Sequence, residues 1–190
     1  MTSTSLASNR ERALLALVVA EARKTVGMKH NSLGRTALQK LVYFLKVRGV
    51  PMNYKFDVHY YGPFCQEILS DTEWLKAYEV IDDRSQDPKR SDYIPSHRMD
   101  EVFQAHQAYV EAHKATVQEV VSRLAPLSID ELELMSTLDF AHRSRRAEGG
   151  TGPWKDAVIQ RFQEWKGGKF DPERVGRAYD LMVESGVFKE

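Results

Sequence analysis

Cys65 and His59 are residues whose types and spacing could support nucleophilic chemistry. We expect Cys65 in the first turn of a helix that begins at Pro63, where the positive helix end lowers a thiol pKa. His59 could then act as its base, but the sequence offers no third residue that would orient the imidazole. Since a lone cysteine is usually a small buried apolar residue, we favour that interpretation. We predict no catalytic residues and no enzyme activity.

The histidines do not follow a metal-binding pattern. His106 and His113 are seven residues apart, which corresponds to a rise of about 10 Å along a helix, too far for both to bind one ion. The chain contains neither an H-x-x-x-H nor a C-x-x-C pair, and such pairs are typical of zinc sites. We therefore predict no metal site and no cofactor.

Positive charge is concentrated in two places, although the net charge is zero. Residues 1–50 hold nine Lys or Arg against two Asp or Glu, which would suit nucleic acid or an acidic protein. Arg143, Arg145 and Arg146 precede a glycine-rich stretch that we expect to be a surface loop over 143–153. This loop could bind phosphates or carboxylates, but it lacks the spacing of a nucleotide-binding P-loop. Trp154, next to it, is a candidate anchor for a partner protein, or else a core residue.

Local signals predict the elements that must position these residues. Capping boxes at Ser8–Glu11 and Thr36–Gln39 predict the first two helices, and Gly49 with Pro51 ends the second. A strand around Phe56–Tyr60 follows, then a short helix opened by Gly62-Pro63. Residues 78–81 and Tyr93-Ile94 are expected to pair as a hairpin around a turn at 85–92.

The remainder of the chain is predicted to be helical. One long helix is expected over 98–124, a capping box at Ser128–Glu131 begins the next, and Asp171 caps the last. The predicted fold class is α+β, mostly helical, with a winged-helix-like core of helix, helix, strand, helix and hairpin. We expect residues 1–190 to form a single domain, in which 8–96 are this core and 97–190 are a helical C-terminal part.

The residue pattern of the second helix distinguishes a DNA-recognition helix from a buried core helix. Leu38, Leu41 and Leu45 share one face, yet Tyr43 and Val47 lie nearly opposite them beside Lys40. Because a helix that is apolar nearly all round is usually buried, we favour a central core helix. A DNA-binding interpretation stays possible because this region and the expected wing contain basic residues. In the wing, however, acidic residues are interleaved with them. Its candidate contacts are Arg35, Lys40, Lys46, Arg48, Lys89 and Arg90.

The segment Leu38-Gln39-Lys40-Leu41-Val42-Tyr43-Phe44, followed by a strand and Tyr61-Gly62-Pro63-Phe64, resembles the signatures of SocA-like ("Panacea") antitoxin domains. It is also similar to the uncharacterised YwgA-like proteins, which share the step at Gly49-Val50-Pro51. The segment from Phe170 through Gly186 resembles the terminal helix of that group.

The resemblance implies a bacterial, non-enzymatic module that binds a partner protein and neutralises it or adapts it for another process. We expect the partner at the margins of the second helix, at the 61–64 turn and at the 143–154 loop. The candidate contacts are Lys40, Tyr43, Tyr61, Phe64, Arg143, Arg145, Arg146 and Trp154.

The alternative function is a winged-helix DNA-binding transcriptional regulator. Leu14–Ala20 is the longest apolar run and is expected to continue as an amphipathic helix rather than to form a signal peptide. We expect no membrane association and a cytoplasmic location, which the single cysteine also favours. The sequence does not indicate an oligomeric state.

Overall fold

The computed structural model describes residues 9–25, 32–151 and 154–188. The fold is α+β and mostly helical, as predicted, with two small antiparallel sheets of two strands each in these ranges. The helices are α1 (Arg10–Lys24), α2 (Arg35–Val47), α3 (Gln66–Ala77), α4 (Met99–Ala105), α5 (Gln107–Leu124), α6 (Ile129–Ala147), α7 (Trp154–Lys166) and α8 (Pro172–Glu184), with a 3-10 turn at Gly167–Lys169. The strands are β1 (Asp57–His59), β2 (Gly62–Phe64), β3 (Ile81–Asp83) and β4 (Tyr93–Pro95).

The chain divides into two compact units. Unit 1 consists of the chain up to Lys55 and of Cys65–Leu127, and it contains α1–α5 with the β3–β4 hairpin. Unit 2 consists of Phe56–Phe64 and the chain from Ser128 onwards, and it contains the β1–β2 hairpin with α6–α8. The boundary expected at residue 97 therefore differs from this division, which keeps α4 and α5 in unit 1.

Helix α1 is the centre of unit 1, and Ala13–Val19 are all buried within it. The apolar run at Leu14–Ala20 lies inside this helix, as predicted. Its cap is Asn9, whose side chain accepts from the Glu11 amide at 2.9 Å; the predicted capping residue, Ser8, lies outside the described residues. Among the residues in view, no helix combines the length and apolarity needed to cross a membrane.

Helix α2 is a buried helix, which confirms the core interpretation for Ala37–Leu45. The capping box predicted at Thr36 is wrong, since the helix begins at Arg35 and Gly34 occupies the cap position without a side-chain bond. The Gln39 amide has a different partner. It donates to the Cys65 carbonyl at 2.8 Å and accepts from the Cys65 amide at 3.0 Å. This buried pairing satisfies both backbone groups of Cys65.

The segment after β1 differs from its prediction. Gly62–Phe64 form strand β2 rather than a helix start, with His59 opposite Gly62 and Asp57 opposite Phe64. Helix α3 begins only at Gln66, so Cys65 is its N-cap residue and does not lie in the first turn. Gly62 has a φ of +83°. This left-handed conformation is incompatible with the start of a helix, and it forms a tight turn that glycine adopts readily.

The hairpin predicted around residues 85–92 is present, with Asp83 opposite Tyr93, but its first strand is Ile81–Asp83 rather than the predicted 78–81. Asp92 fixes it within unit 1, because its carboxylate accepts from Arg23, from Arg84 and from the Leu33 amide at 3.0 Å. Burial opposes ionisation of this carboxyl group, but the hydrogen bonds from Arg84 and Arg23 outweigh it and lower the Asp92 pKa.

Replacement of Asp92 by asparagine is expected to lower the free energy of unfolding by about 2 kcal/mol at pH 7, because charge-assisted bonds are lost. A lowered folded-state pKa stabilises the fold above the unfolded value of about 3.9, and this contribution is lost as the pH falls further. Urea unfolding of both proteins at pH 7 and near pH 3 measures this. An equal difference at the two pH values would contradict it.

Two helix boundaries correct the predictions for the C-terminal half. The long helix expected over 98–124 is interrupted at His106, which has φ −125° and ψ 29° and separates α4 from α5. Helix α6 has the predicted Ser128–Glu131 capping box but continues to Ala147. Arg143–Arg146 are therefore helical rather than part of a loop, and cations in a last turn interact favourably with the negative helix end. Of the predicted glycine-rich loop, residues 152 and 153 lie outside the described part.

The core of unit 2 is formed by apolar side chains of α6, α7 and α8. Asp171 caps α8 as predicted, accepting from the Arg174 amide at 3.1 Å. The buried members are Leu134, Leu138, Ala141, Val158, Phe162, Phe170, Val175, Tyr179, Met182 and Phe188. Trp154 and Trp165 pack against this core, in keeping with the core alternative for Trp154.

Candidate interaction surface

The turn of the β1–β2 hairpin exposes two adjacent tyrosines. Tyr60 is 73% exposed and Tyr61 is 50% exposed, and their rings meet edge to face with centroids 4.8 Å apart. Among the described residues, the other exposed large apolar side chains are Ile129, at 41%, and Leu181, at 64%. Those two are single residues of helices, whereas the tyrosines form a pair at the tip of a hairpin.

A buried ion cluster fastens this turn to the helices of unit 2. The Lys166 ammonium group donates to the Tyr60 carbonyl and lies 2.5 Å from the Glu133 carboxylate. Lys169 contacts the other Glu133 oxygen at 2.7 Å. The side chains of Glu133 and Lys166 are both fully buried, so the pair is shielded from solvent. The backbone of Tyr60 is thus held by a charge-assisted hydrogen bond.

Lys169 also borders the exposed rings. Its Nζ atom lies 5.2 Å from the Tyr61 ring centroid and 5.9 Å from that of Tyr60. A cation within about 6 Å of a ring face is attracted by the ring quadrupole. The tip therefore combines two aromatic surfaces with two hydroxyl groups and one partly exposed cation.

Gly62 brings β2 against α6. A Cβ atom at this position would lie 2.3 Å from the Thr137 hydroxyl oxygen, which is far inside contact distance. Together with its positive φ, this close approach explains why the turn sequence carries glycine after the two tyrosines. The hairpin is consequently packed on its inner side and exposed at its tip.

The predicted partner contacts are only partly brought together. In unit 1, Lys40 is 1% exposed and Tyr43 is also buried, so neither offers an exposed surface. In unit 2, Tyr61 is exposed and Phe64 is half-buried, with its ring 5.1 Å from that of His59. The Trp154 ring stacks on the His142 ring with centroids 5.1 Å apart, so one face of the indole is packed within unit 2.

The three predicted arginines lie on the last turns of α6. Arg143 donates to Asp139 at 2.7 Å, and Arg145 donates to the Thr151 carbonyl with its guanidinium 5.6 Å from the Trp154 ring centroid. Arg146 is exposed. Two of the three side chains therefore support unit 2 itself rather than forming a mobile basic loop.

Most of the residues predicted for nucleic-acid binding also have partners within unit 1. Arg35 donates to the Lys89 carbonyl at 2.9 Å, and Lys46 donates to the Tyr54 carbonyl. Arg48 contacts Glu119 at 2.9 Å. Arg90 lies 3.6 Å from Asp87, Lys89 is exposed, and Lys40 is buried.

Cys65 has the environment of a protonated thiol. Its side chain is buried, and it donates to a Glu67 carboxylate oxygen at 3.0 Å. Burial and this hydrogen bond raise the pKa of the Cys65 thiol to about 11. A reactive cysteine needs the thiolate at neutral pH, and these surroundings disfavour it. No group of three or more metal-ligating side chains occurs in the part of the chain that is described.

Sequence reasoning identified Tyr61 but not Tyr60, Glu133, Lys166 or Lys169. The signal for Tyr60 was present, since a Tyr-Tyr doublet before Gly-Pro places both rings at a turn. Glu133 and Lys166 lie on different helices, and no local pattern connects them. Each alone is typical of a solvated helix face.

The comparisons with known proteins give one partial likeness. The chain is 40% identical over 43 residues to "Uncharacterized protein YwgA" of Bacillus subtilis (strain 168). This segment is 23% of the chain, and it covers 26% of that relative, so the chain spans about a quarter of the length of the curated relative it matches. No family model matches the chain. The likeness supports at most a relationship to YwgA-like proteins.

Proposed function

We propose that this protein is a non-enzymatic interaction module that binds a partner protein through the Tyr60–Tyr61 tip. The observation that carries the proposal is the exposure of both rings on a hairpin whose inner side is held by Lys166 and by the Gly62 contact with α6.

The tyrosine tip is preorganised for binding. Tyrosine side chains supply a large contact area with few rotatable bonds, and they are enriched at the centres of interfaces. Because the backbone of the turn is already fixed, little conformational entropy is lost when a partner binds. Tyr61 and Gly62 belong to the segment that resembles SocA-like antitoxin domains. We therefore place the module in the bacterial cytoplasm, where it neutralises or adapts its partner.

The experiment is affinity purification from the native host with nuclease treatment and quantitative mass spectrometry. We compare the wild type with a Tyr60→Ser, Tyr61→Ser double variant and with Leu181→Ser, which alters another apolar residue of unit 2 that is 64% exposed. We expect the double variant to lose at least about tenfold in partner recovery, as is typical of central aromatic residues. The Leu181 variant should retain it.

Equal recovery by the wild type and the double variant would contradict the proposal. Matching melting temperatures establish that both variants are folded. A partner lost equally with Leu181→Ser and with the double variant would place the binding surface elsewhere on unit 2.

A winged-helix DNA-binding regulator is the second candidate. It is supported by the order α1, α2, α3 and β3–β4 in unit 1, with Lys89 and Arg90 exposed at the hairpin turn. Against it, α3 exposes Glu67 and Glu73, and carboxylates oppose phosphate binding. The purification is repeated without nuclease. If nucleic acid copurifies with the wild type but not with a Lys89→Glu, Arg90→Glu variant, DNA binding becomes the favoured function.

A further inference from the structure

We propose that a polar cleft of unit 1 binds an organic cation, an alkylguanidinium or alkylammonium group, at the carboxylate of Glu11. The cleft has a volume of about 700 Å³, within the range of small-ligand sites. It is formed by the start of α1, by α3, by the segment before β1 and by the break between α4 and α5. The lining residues are Asn9, Arg10, Glu11, Asn53, Tyr54, Glu67, Ser70, Asp71 and His106.

Glu11 has an unused carboxylate oxygen in this cleft. The residue is only 6% exposed. One oxygen, Oε1, accepts from the Asn53 amide at 3.1 Å and lies 3.9 Å from the Arg10 guanidinium. The other, Oε2, accepts no hydrogen bond from any residue that the structure describes, and it is not fully buried but reaches the solvent of the cleft. A carboxylate on a mostly buried residue with one oxygen open to a cleft can accept a charge-assisted hydrogen bond from a cationic donor.

The neighbouring carboxylate, Asp71, is already satisfied. Arg12 donates to one of its oxygens at 2.8 Å, while Tyr54 at 2.8 Å and Asn9 at 3.3 Å donate to the other. Burial and the adjacent Asp71 raise the pKa of Tyr54, so its hydroxyl keeps its proton and stays a donor. Asp71 therefore holds the wall of the cleft together, and Glu11 is the mostly buried carboxylate with an oxygen available to a ligand, whereas Glu67 is exposed.

The charges of the lining favour a cation. Three carboxylates, Glu11, Glu67 and Asp71, line the cleft with one guanidinium, that of Arg10. Arg10 lies over the ring of Tyr109, 5.2 Å from its centroid. Calcium and magnesium need about six or more oxygen ligands, which a single open carboxylate oxygen does not supply. A guanidinium or ammonium group needs only directed acceptors.

This inference uses residues of unit 1 and does not rest on the proposed function of the tyrosine tip. The two can therefore fail separately.

The probe is agmatine, titrated into ¹⁵N-labelled wild-type protein and followed by heteronuclear NMR. We expect saturable shifts centred on the amides of Asn9, Asn53 and Ser70, with a millimolar dissociation constant that rises with salt. Glu11→Gln should weaken binding by roughly tenfold or more, since a charge-assisted hydrogen bond is lost. Glu21→Gln, at an equally buried glutamate of the same helix, should leave it unchanged.

A second arm identifies the source of the cation. A tripeptide, Gly-Arg-Gly with both ends blocked, that binds tighter than agmatine would support an arginine of a protein partner. Tighter binding of agmatine would support a free amine. Absence of shifts at these amides in the wild type up to about 20 mM agmatine would overturn the proposal. Equal shifts with butyrate, or undiminished binding by a folded Glu11→Gln protein, would overturn it as well.

Discussion

Replacement of Glu133 by glutamine is expected to lower the free energy of unfolding by about 3–5 kcal/mol, the typical cost of removing one partner of a buried ion pair. Glu133 is the shared anion of Lys166 and Lys169, and its side chain is fully buried. The substitution leaves the buried Lys166 ammonium group without a counter-charge. Urea unfolding followed by circular dichroism measures the effect.

Glu148→Gln is the matched control. It breaks another ion pair of unit 2, the contact of Glu148 with Arg161 at 2.6 Å, but Glu148 is exposed. Solvent and salt screen such pairs, so its loss should change the stability little. Equal effects of the two substitutions would show that the Glu133 cluster is not shielded as described.

Replacement of Gly62 by alanine is expected to lower the free energy of unfolding by about 3 kcal/mol. An L-residue at positive φ costs about 1–2 kcal/mol, and the new Cβ would lie 2.3 Å from the Thr137 hydroxyl oxygen. Because Thr137 sits on a packed helix, β2 must move away from α6 to relieve this overlap. The measurement is the same urea unfolding experiment.

Gly186→Ala separates the two contributions. Gly186 also has a positive φ, +70°, but a Cβ atom there meets nothing within 4 Å. It should therefore cost only the conformational strain, about 1 kcal/mol. Adding Thr137→Ala to the Gly62 variant should recover part of the difference. If Gly62→Ala cost no more than Gly186→Ala, the close approach of β2 to α6 would be contradicted.

The elements that sequence reasoning predicted well are those specified by local contacts. Ser128 and Glu131 are three residues apart and cap each other directly, and Asp171 caps the helix that it precedes. The predictions that failed depend on distant partners. Gln39 looked like the end of a capping box, but its amide binds the backbone of Cys65. Pro63 looked like a helix start, but its segment pairs with β1.

The candidate site follows the same division. Tyr61 could be singled out because a Tyr-Gly-Pro turn exposes its first residue. The ion cluster that holds the turn could not be predicted, because Glu133 and Lys166 come together only through the packing of α6 and α7. Arg143–Arg146 were misplaced because glycines at 149 and 150 suggested an earlier helix end, whereas α6 continues to Ala147. The sequence therefore predicts part of the tip and none of the ion cluster beneath it.

The most direct test of the interaction surface is photo-crosslinking in living cells of the native host. A benzoylphenylalanine at position 60, in place of Tyr60, would lie at the exposed tip, and the same group in place of Leu181 provides the control. We expect a discrete covalent protein adduct from position 60 and none of the same mass from position 181. No adduct from position 60, or the same adduct from both positions, would contradict the claim that the tyrosine tip contacts a specific partner.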